Sequence, residues 1–229
     1  LQLINTLHIS AKFTDAAEAE NFLIPHEHSI RDTKKVNPET GEVTCFRTFA
    51  FPPTSEYSFF ESATIDHLEM SENLPMFLND ENLAHLRHLL DGCTIKKIGL
   101  AFEEKTLHNL HNVPAFVAGI GAEHVDFVIV LTRNIAISTV IYSDKFASEL
   151  VCAGVREVSF TGYWIDGSGP EYSINLLLSL FKAGIERITV NAGALINHHV
   201  GLHYTIRLFQ TMADIGKPLA LHLNVTDKE

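Results

Sequence analysis

Thirteen histidines among 229 residues raise metal chemistry first. His26-Glu27-His28 is the sharpest case, because an HxH spacing sets two imidazoles on one side of an extended segment. Two ligands leave a zinc ion without its third and fourth partners, and no His or Asp at a later strand end supplies them. His85 with His88 and His108 with His111 share helix faces at i,i+3, and His198-His199 with His203 opens a further helix. All of these are expected to be surface histidines, as are His67 and His222 on strands. Nucleophile arrangements are absent: there is no GxSxG, no cysteine in a thiol-protease setting and no phosphate loop. Gly162, Gly167 and Gly169 are interrupted by Trp164, Ile165 and Asp166, and no Lys-Ser/Thr follows. The expectation is therefore no catalytic residue, no resident metal, no cofactor and no enzyme activity.

Composition narrows the classes further. At 46% hydrophobic residues the chain can build a core, and its apolar runs are far too short to cross a membrane. Seventeen Lys and Arg against 28 Asp and Glu give a net charge of −11, which disfavours nucleic acid as a partner. Cys45, Cys93 and Cys152 are odd in number and form no CxxC, which fits a reducing, cytoplasmic setting. The chain opens at Leu1 with no charged-then-apolar leader, and is read as either a trimmed chain or a domain excised from a longer protein.

A repeat supplies the elements that must carry any site. The apolar triplet Ile65, Leu68, Met70 returns as Ile95, Ile98, Leu100, then Val125, Val128, Val130, then Val155, Val158, Phe160, then Ile185, Ile188, Val190, always at a step of 30. Pro218, Leu221, Leu223 follows after 33. Phe46, Phe49, Phe51 shares the internal spacing but not the period. Each triplet reads as a strand with one wet face, and the stretches between read as helices. Leu176, Leu177, Leu180 and Phe181 make the clearest stripe, with Ser173 as the expected N-cap and Gly184 as the stop. Consecutive strands should be parallel. Residues 1–64 differ: a strand, a short helix over Asp15 to Leu23, and a hairpin of Ser29–Val36 with Glu42–Phe49 turning at Asn37-Pro38 and Gly41. They are expected to cap a repeat array spanning 65–229.

Such units can close into a (β/α)₈ barrel or stack as an open arc. Barrel strands are buried on both faces, whereas Asp66, His67, Glu69, Lys96, Lys97, Arg156, Glu157, Glu186 and Arg187 leave one face wet. The triplets with Asn73 resemble the LxxLxLxxNxL pattern of leucine-rich repeats of the ribonuclease-inhibitor-like class over about 65–225. Glu103, Arg133, Tyr163 and Gly193 hold the Asn position in other units, a departure from the family pattern. That resemblance implies an α/β open solenoid of strand–loop–helix repeats with an N-terminal β-hairpin cap, binding a protein. Repeats of this divergent style resemble those of intracellular bacteria, which implies an effector acting in a host cytosol. The competing reading is a metal-dependent hydrolase on a barrel, because Pro25-His26-Glu27-His28 resembles the strand-end motif of amidohydrolases, which implies His26 and His28 as ligands.

At a step of 30, one wet column reads Asp66, Lys96, Asp126, Arg156, Glu186, alternating in sign. The next reads His67, Lys97, Phe127, Glu157, Arg187. Phe127 and Ile129 are thus expected on the wet face, beside Tyr163 and Trp164 in the adjoining loop. Aromatic and arginine side chains anchor many interfaces. The expected partner-binding centre is Phe127, Ile129, Glu157, Tyr163, Trp164 and Arg187, with a protein as partner and neither nucleic acid, membrane nor small-molecule substrate inferred.

Overall fold

The computed structural model describes residues 5–22, 29–51, 63–70, 78, 80–130, 144–162, 170–191, 206, 210–211, 213–216 and 219–222. Strand β1 (Asn5–Phe13) leads into helix α1 (Ala16–Phe22), and β2 (Ser29–Val36) and β3 (Val43–Phe51) form the expected hairpin. Then follow β4 (Thr64–Met70), α2 (Asp80–Leu89), β5 (Thr94–Glu103), a 3₁₀ helix (Glu104–Asn112), α3 (Val113–Ile120) and β6 (His124–Val130). The chain continues through α4 (Asp144–Cys152), β7 (Glu157–Gly162), α5 (Pro170–Ala183), β8 (Arg187–Asn191) and β9 (Leu219–His222).

All nine described strands join one sheet in the order β2-β3-β1-β4-β5-β6-β7-β8-β9. From β4 to β9 every pairing is parallel and in chain order. The N-terminal strands add antiparallel to the same sheet, with β1 between β3 and β4. The sheet is open, ending at β2 and β9, so the closed barrel is excluded.

One core lies between the sheet and the helices. Ile98, Leu100 and Phe102 of β5 share one buried cluster with Val113, Phe116 and Val117 of α3, and Val158 and Phe160 belong to it with Leu176, Leu177 and Leu180 of α5. Helix α5 begins at Pro170, so Ser173 lies within it and is not its cap. Proline suits a first turn because its missing N–H has no intrahelical partner there. The helix ends at Gly184 (φ 119°), where the Gly184 and Ile185 amides donate to Phe181 and Leu180. Gly154 (φ 94°) ends α4 through the same pair of bonds, to Val151 and Leu150. That left-handed residue turns each helix into the next strand. No helix among the described residues is long and apolar enough to cross a membrane.

The step of 30 does not survive at β6. Ile65 pairs with Ile95 and Val158 with Ile188, as the period requires. Yet Ile98 pairs with Val125, and Val125 with Val158, steps of 27 and 33. A slip of three, being odd, exchanges the two faces of a strand. The buried triplet of this unit is therefore Ala122, Val125, Phe127, with exposures of 0%, 0% and 2%. Phe127, expected on the wet face, is in the core between Phe102, Phe146 and Phe160, with centroids 6.5, 6.3 and 5.6 Å away.

Candidate binding face

Pleating sends the remaining strand positions to the sheet surface opposite the helices, and the register aligns them in rows. Across β1, β4, β5, β6, β7 and β8 one row reads Lys12, His67, Lys97, His124, Glu157, Arg187. The row beside it reads Ser10, Glu69, Gly99, Asp126, Ser159, Thr189. His124 thus takes the place expected for Phe127. Asp126 lies beside Gly99, not Lys96, so the alternating column breaks at β6 and keeps its step on either side: Lys96 Nζ is 2.6 Å from Asp66 Oδ1, and the Glu186 amide donates to the Arg156 carbonyl.

Two ion pairs join the rows and a third lies within the first. Lys12 Nζ lies 3.2 Å from Glu69 Oε1 and Lys97 Nζ 3.2 Å from Asp126 Oδ2, whereas Arg187 Nη1 is 3.4 Å from its row neighbour Glu157 Oε1. His124 Nε2 is 2.6 Å from Ser159 Oγ, and its Nδ1 is 3.7 Å from Glu157 Oε2. Burial, reinforced by the Lys97 ammonium, pushes the His67 imidazole down to about 4, and the same two causes lower His124. His67 is a neutral ring near pH 7. The Asp66 carboxyl, which burial alone would raise, is held below its ordinary value by hydrogen bonds from Lys96 and Thr14.

A groove of about 390 Å³ crosses this face from β3 to β6. Its floor is low because β5 contributes Gly99 and Ala101, flanked by His67 and Glu69 on β4 and by Asp126 and Val128 on β6. A glycine at 99 makes room for His67: a β-carbon there would come 3.1 Å from His67 Nε2 and 3.3 Å from Glu69 Cγ, so either side chain would have to give by a few tenths of an ångström. His67 Nε2 and Asp126 Oδ1 are buried and accept or donate no hydrogen bond among the described residues. The far wall is Phe46 of β3, 37% exposed, with the Lys35 ammonium 5.4 Å from its centroid.

Behind β3, on the helix side, Arg47 is 1% exposed. Its Nε and Nη2 each donate to the Asp32 carboxylate at 3.0 Å, its Nη1 donates to the Phe22 carbonyl at 2.6 Å, and its guanidinium stands 5.5 Å from the Phe22 ring. This fork joins the hairpin to the end of α1. Cys45 and Cys93 are held up to about 11 chiefly by burial, which keeps both as thiols.

No protein-family model and no curated protein sequence matches this chain. The case for a site therefore rests on the residues themselves. Of those expected at the partner-binding centre, Glu157 and Arg187 are adjacent on the open face and paired with each other. Phe127 is withdrawn from it by burial. The Ile129 backbone pairs with Phe102 and Gly162, its side chain lying outside the described set, as do Tyr163 and Trp164. His26, His28, His198, His199 and His203 fall outside the described residues too. His108 and His111 are exposed, with His111 Nδ1 2.6 Å from the His108 carbonyl. Among the described residues no group of three or more His, Cys, Asp or Glu is arranged to hold a metal. The groove was missed because its floor is a glycine and an alanine, which carry no chemistry of their own. The signal for His124 was present in Gly121, which, like Gly154 and Gly184, stands three residues before the row.

Proposed function

We propose that this chain is a protein-binding scaffold, an arc of leucine-rich-repeat-type units that presents the open face of its sheet to a partner. The observation that carries the reading is the row Lys97, His124, Glu157, Arg187: four charged or polar side chains in lateral register on a surface opposite the helices. Side-chain exposures of 28%, 23%, 34% and 61% leave them held in place yet reachable. Rigid, self-paired charges of this kind give orientation and partner selectivity more than raw affinity. The contact centre accordingly moves from Phe127 to this row, keeping Glu157 and Arg187. The partner is a protein, the interaction is binding without chemistry, and an effector acting in a host cytosol is the setting that the repeat style implies.

The test is partner capture by photo-crosslinking, with the Glu157→Ala/Arg187→Ala double variant beside Lys145→Ala on the helix side. Removing both members of the pair leaves no orphan charge between them, so the fold should melt as the parent does. The expected result is a loss of roughly tenfold or more in the crosslinked partner for the double variant alone. Equal capture by all three proteins would overturn the reading.

A further inference from the structure

The groove over β5 is separate in character from the charged row, and its lining specifies a ligand. We propose that it is a binding site for a single neutral sugar ring. Its volume of about 390 Å³ lies in the range of small-ligand pockets. Charge decides the first part of the class. Both carboxylates in the groove, Glu69 and Asp126, are already matched by a lysine at 3.2 Å, and His67 between them is uncharged near neutrality. A charged ligand would unbalance these pairs in a partly dry site, whereas a neutral one leaves them intact.

Hydrogen bonding decides the second part. Ser10 and Thr48 bring hydroxyls to the lining, and Glu69 brings an exposed carboxylate. His67 Nε2 and Asp126 Oδ1, on either side of Gly99, have no partner among the described residues. The Glu69 carboxylate, 3.7 Å from Nδ1, favours the tautomer with its proton there, which makes Nε2 an acceptor. Two unmet acceptors call for a ligand that donates, and hydroxyls donate without adding charge. Both atoms are occluded as the ring lies, so binding requires the His67 ring, which packs over the bare α-carbon at 99, to move when a hydroxyl engages them. Shape decides the third part. The half-exposed Phe46 ring at one wall, Val128 at the other and Ala101 in the floor offer apolar surface beside the polar groups. A pyranose, with a rim of hydroxyls and an apolar C–H face, has this division; a planar nucleobase has an apolar face but few donors on its rim.

The experiment is an NMR titration of the whole chain with methyl glycosides of glucose, galactose, mannose and N-acetylglucosamine, each to about 50 mM, a range suited to weak sites. Glucuronate, glucosamine and adenosine serve as the anionic, cationic and planar contrasts. At least one neutral glycoside should shift the Gly99 amide and the His67 imidazole saturably, with the contrasts weaker. Phe46→Ala and Glu69→Gln should each weaken binding about fivefold or more, the effect of one lost contact, while Lys145→Ala changes nothing. A short oligosaccharide of the preferred sugar, titrated alongside, tells a free monosaccharide from the terminal residue of a larger glycan as its source. No saturable shift with any neutral glycoside, or tighter binding of a charged ring or of adenosine, overturns the assignment. Partner capture through Glu157 and Arg187 is read in a separate assay, so failure here leaves that proposal standing on its own result.

Discussion

The junction of β4 with β5 and the junction of β5 with β6 look alike in sequence and differ in the folded chain. At the first, partners are 30 residues apart; at the second they are 27 apart, and 33 apart at the next. The difference lies in how β6 is written. His124-Val125-Asp126-Phe127-Val128-Ile129-Val130 carries apolar residues at both parities, so alternation alone does not say which face is buried. In β4, by contrast, Glu69 between Leu68 and Met70 leaves one choice. The helix stop then decides the register. Gly121 (φ 71°) ends α3 through its amide to Val117, and the strand must start from there. The lesson is that a period in a sequence locates units, and the turn residue before each strand locates their register.

The largest expected effect sharpens this contrast directly. Phe127→Ala should cost about 3–5 kcal/mol in urea unfolding, because it opens a cavity among Phe102, Phe146 and Phe160. Val128→Ala, on the open face, should cost well under half as much. Were the period of 30 obeyed at β6, that order would be reversed.

Next comes the hairpin, where the chain departs from the repeat altogether. Arg47→Ala should destabilise by about 3 kcal/mol, since it leaves Asp32 and the Phe22 carbonyl without their donor. A melt unchanged from the parent would show that α1 is held to the sheet by apolar contacts alone.

Stability should also depend on pH through the histidines of the open face, His67 where the period holds and His124 where it slips. Histidine ordinarily titrates near 6.5 and His67 titrates at about 4 in the folded chain. Between those values the unfolded chain binds a proton that the folded one does not, so stability rises with pH across the window and is lost as pH falls from 6.5 toward 4. Full stability from this source is present above 6.5, and its size is up to roughly 3 kcal/mol. His124, lowered by burial and by Lys97, acts in the same direction. Denaturant midpoints of the parent and of His67→Asn between pH 4 and 7 should therefore converge toward the acid end. Parallel curves would contradict the burial of this ring.

The smallest effect belongs to the part that does obey the period. Lys96 and Asp66 pair at 2.6 Å, but the lysine is 61% exposed. Lys96→Ala should change the urea midpoint by well under about 1 kcal/mol at neutral pH, and less still in high salt.

Much of the architecture was legible because it is local. Leu176, Leu177, Leu180 and Phe181 announce α5, Asn37 to Gly41 announces the hairpin, and the wet positions of β4 and β5 rule out a barrel. What was not legible is what depends on lateral alignment. Phe127 reads equally well as exposed or buried until its neighbour in β5 is known to be Leu100. The antiparallel insertion of β1 between β3 and β4 follows from a pairing between residues such as Ala11 and Leu68, which no periodicity links. Arg47 reads as a surface cation until Asp32 and the end of α1 close around it. The groove depends on Gly99, whose role is the space it leaves for His67.

The slip at β6 is the claim on which the rest depends, and a cysteine pair measures it most directly. In a background with Cys45, Cys93 and Cys152 replaced by Ser, cysteines at Lys97 and His124 should crosslink on mild oxidation, because adjacent strands bring paired α-carbons within disulfide range, at about 5 Å. Cysteines at Lys97 and Phe127, the pair a step of 30 would align, should stay reduced, since the second lies on the helix side. Efficient crosslinking of 97 with 127 and none of 97 with 124 would contradict the register, return Phe127 to the open face and dissolve the row.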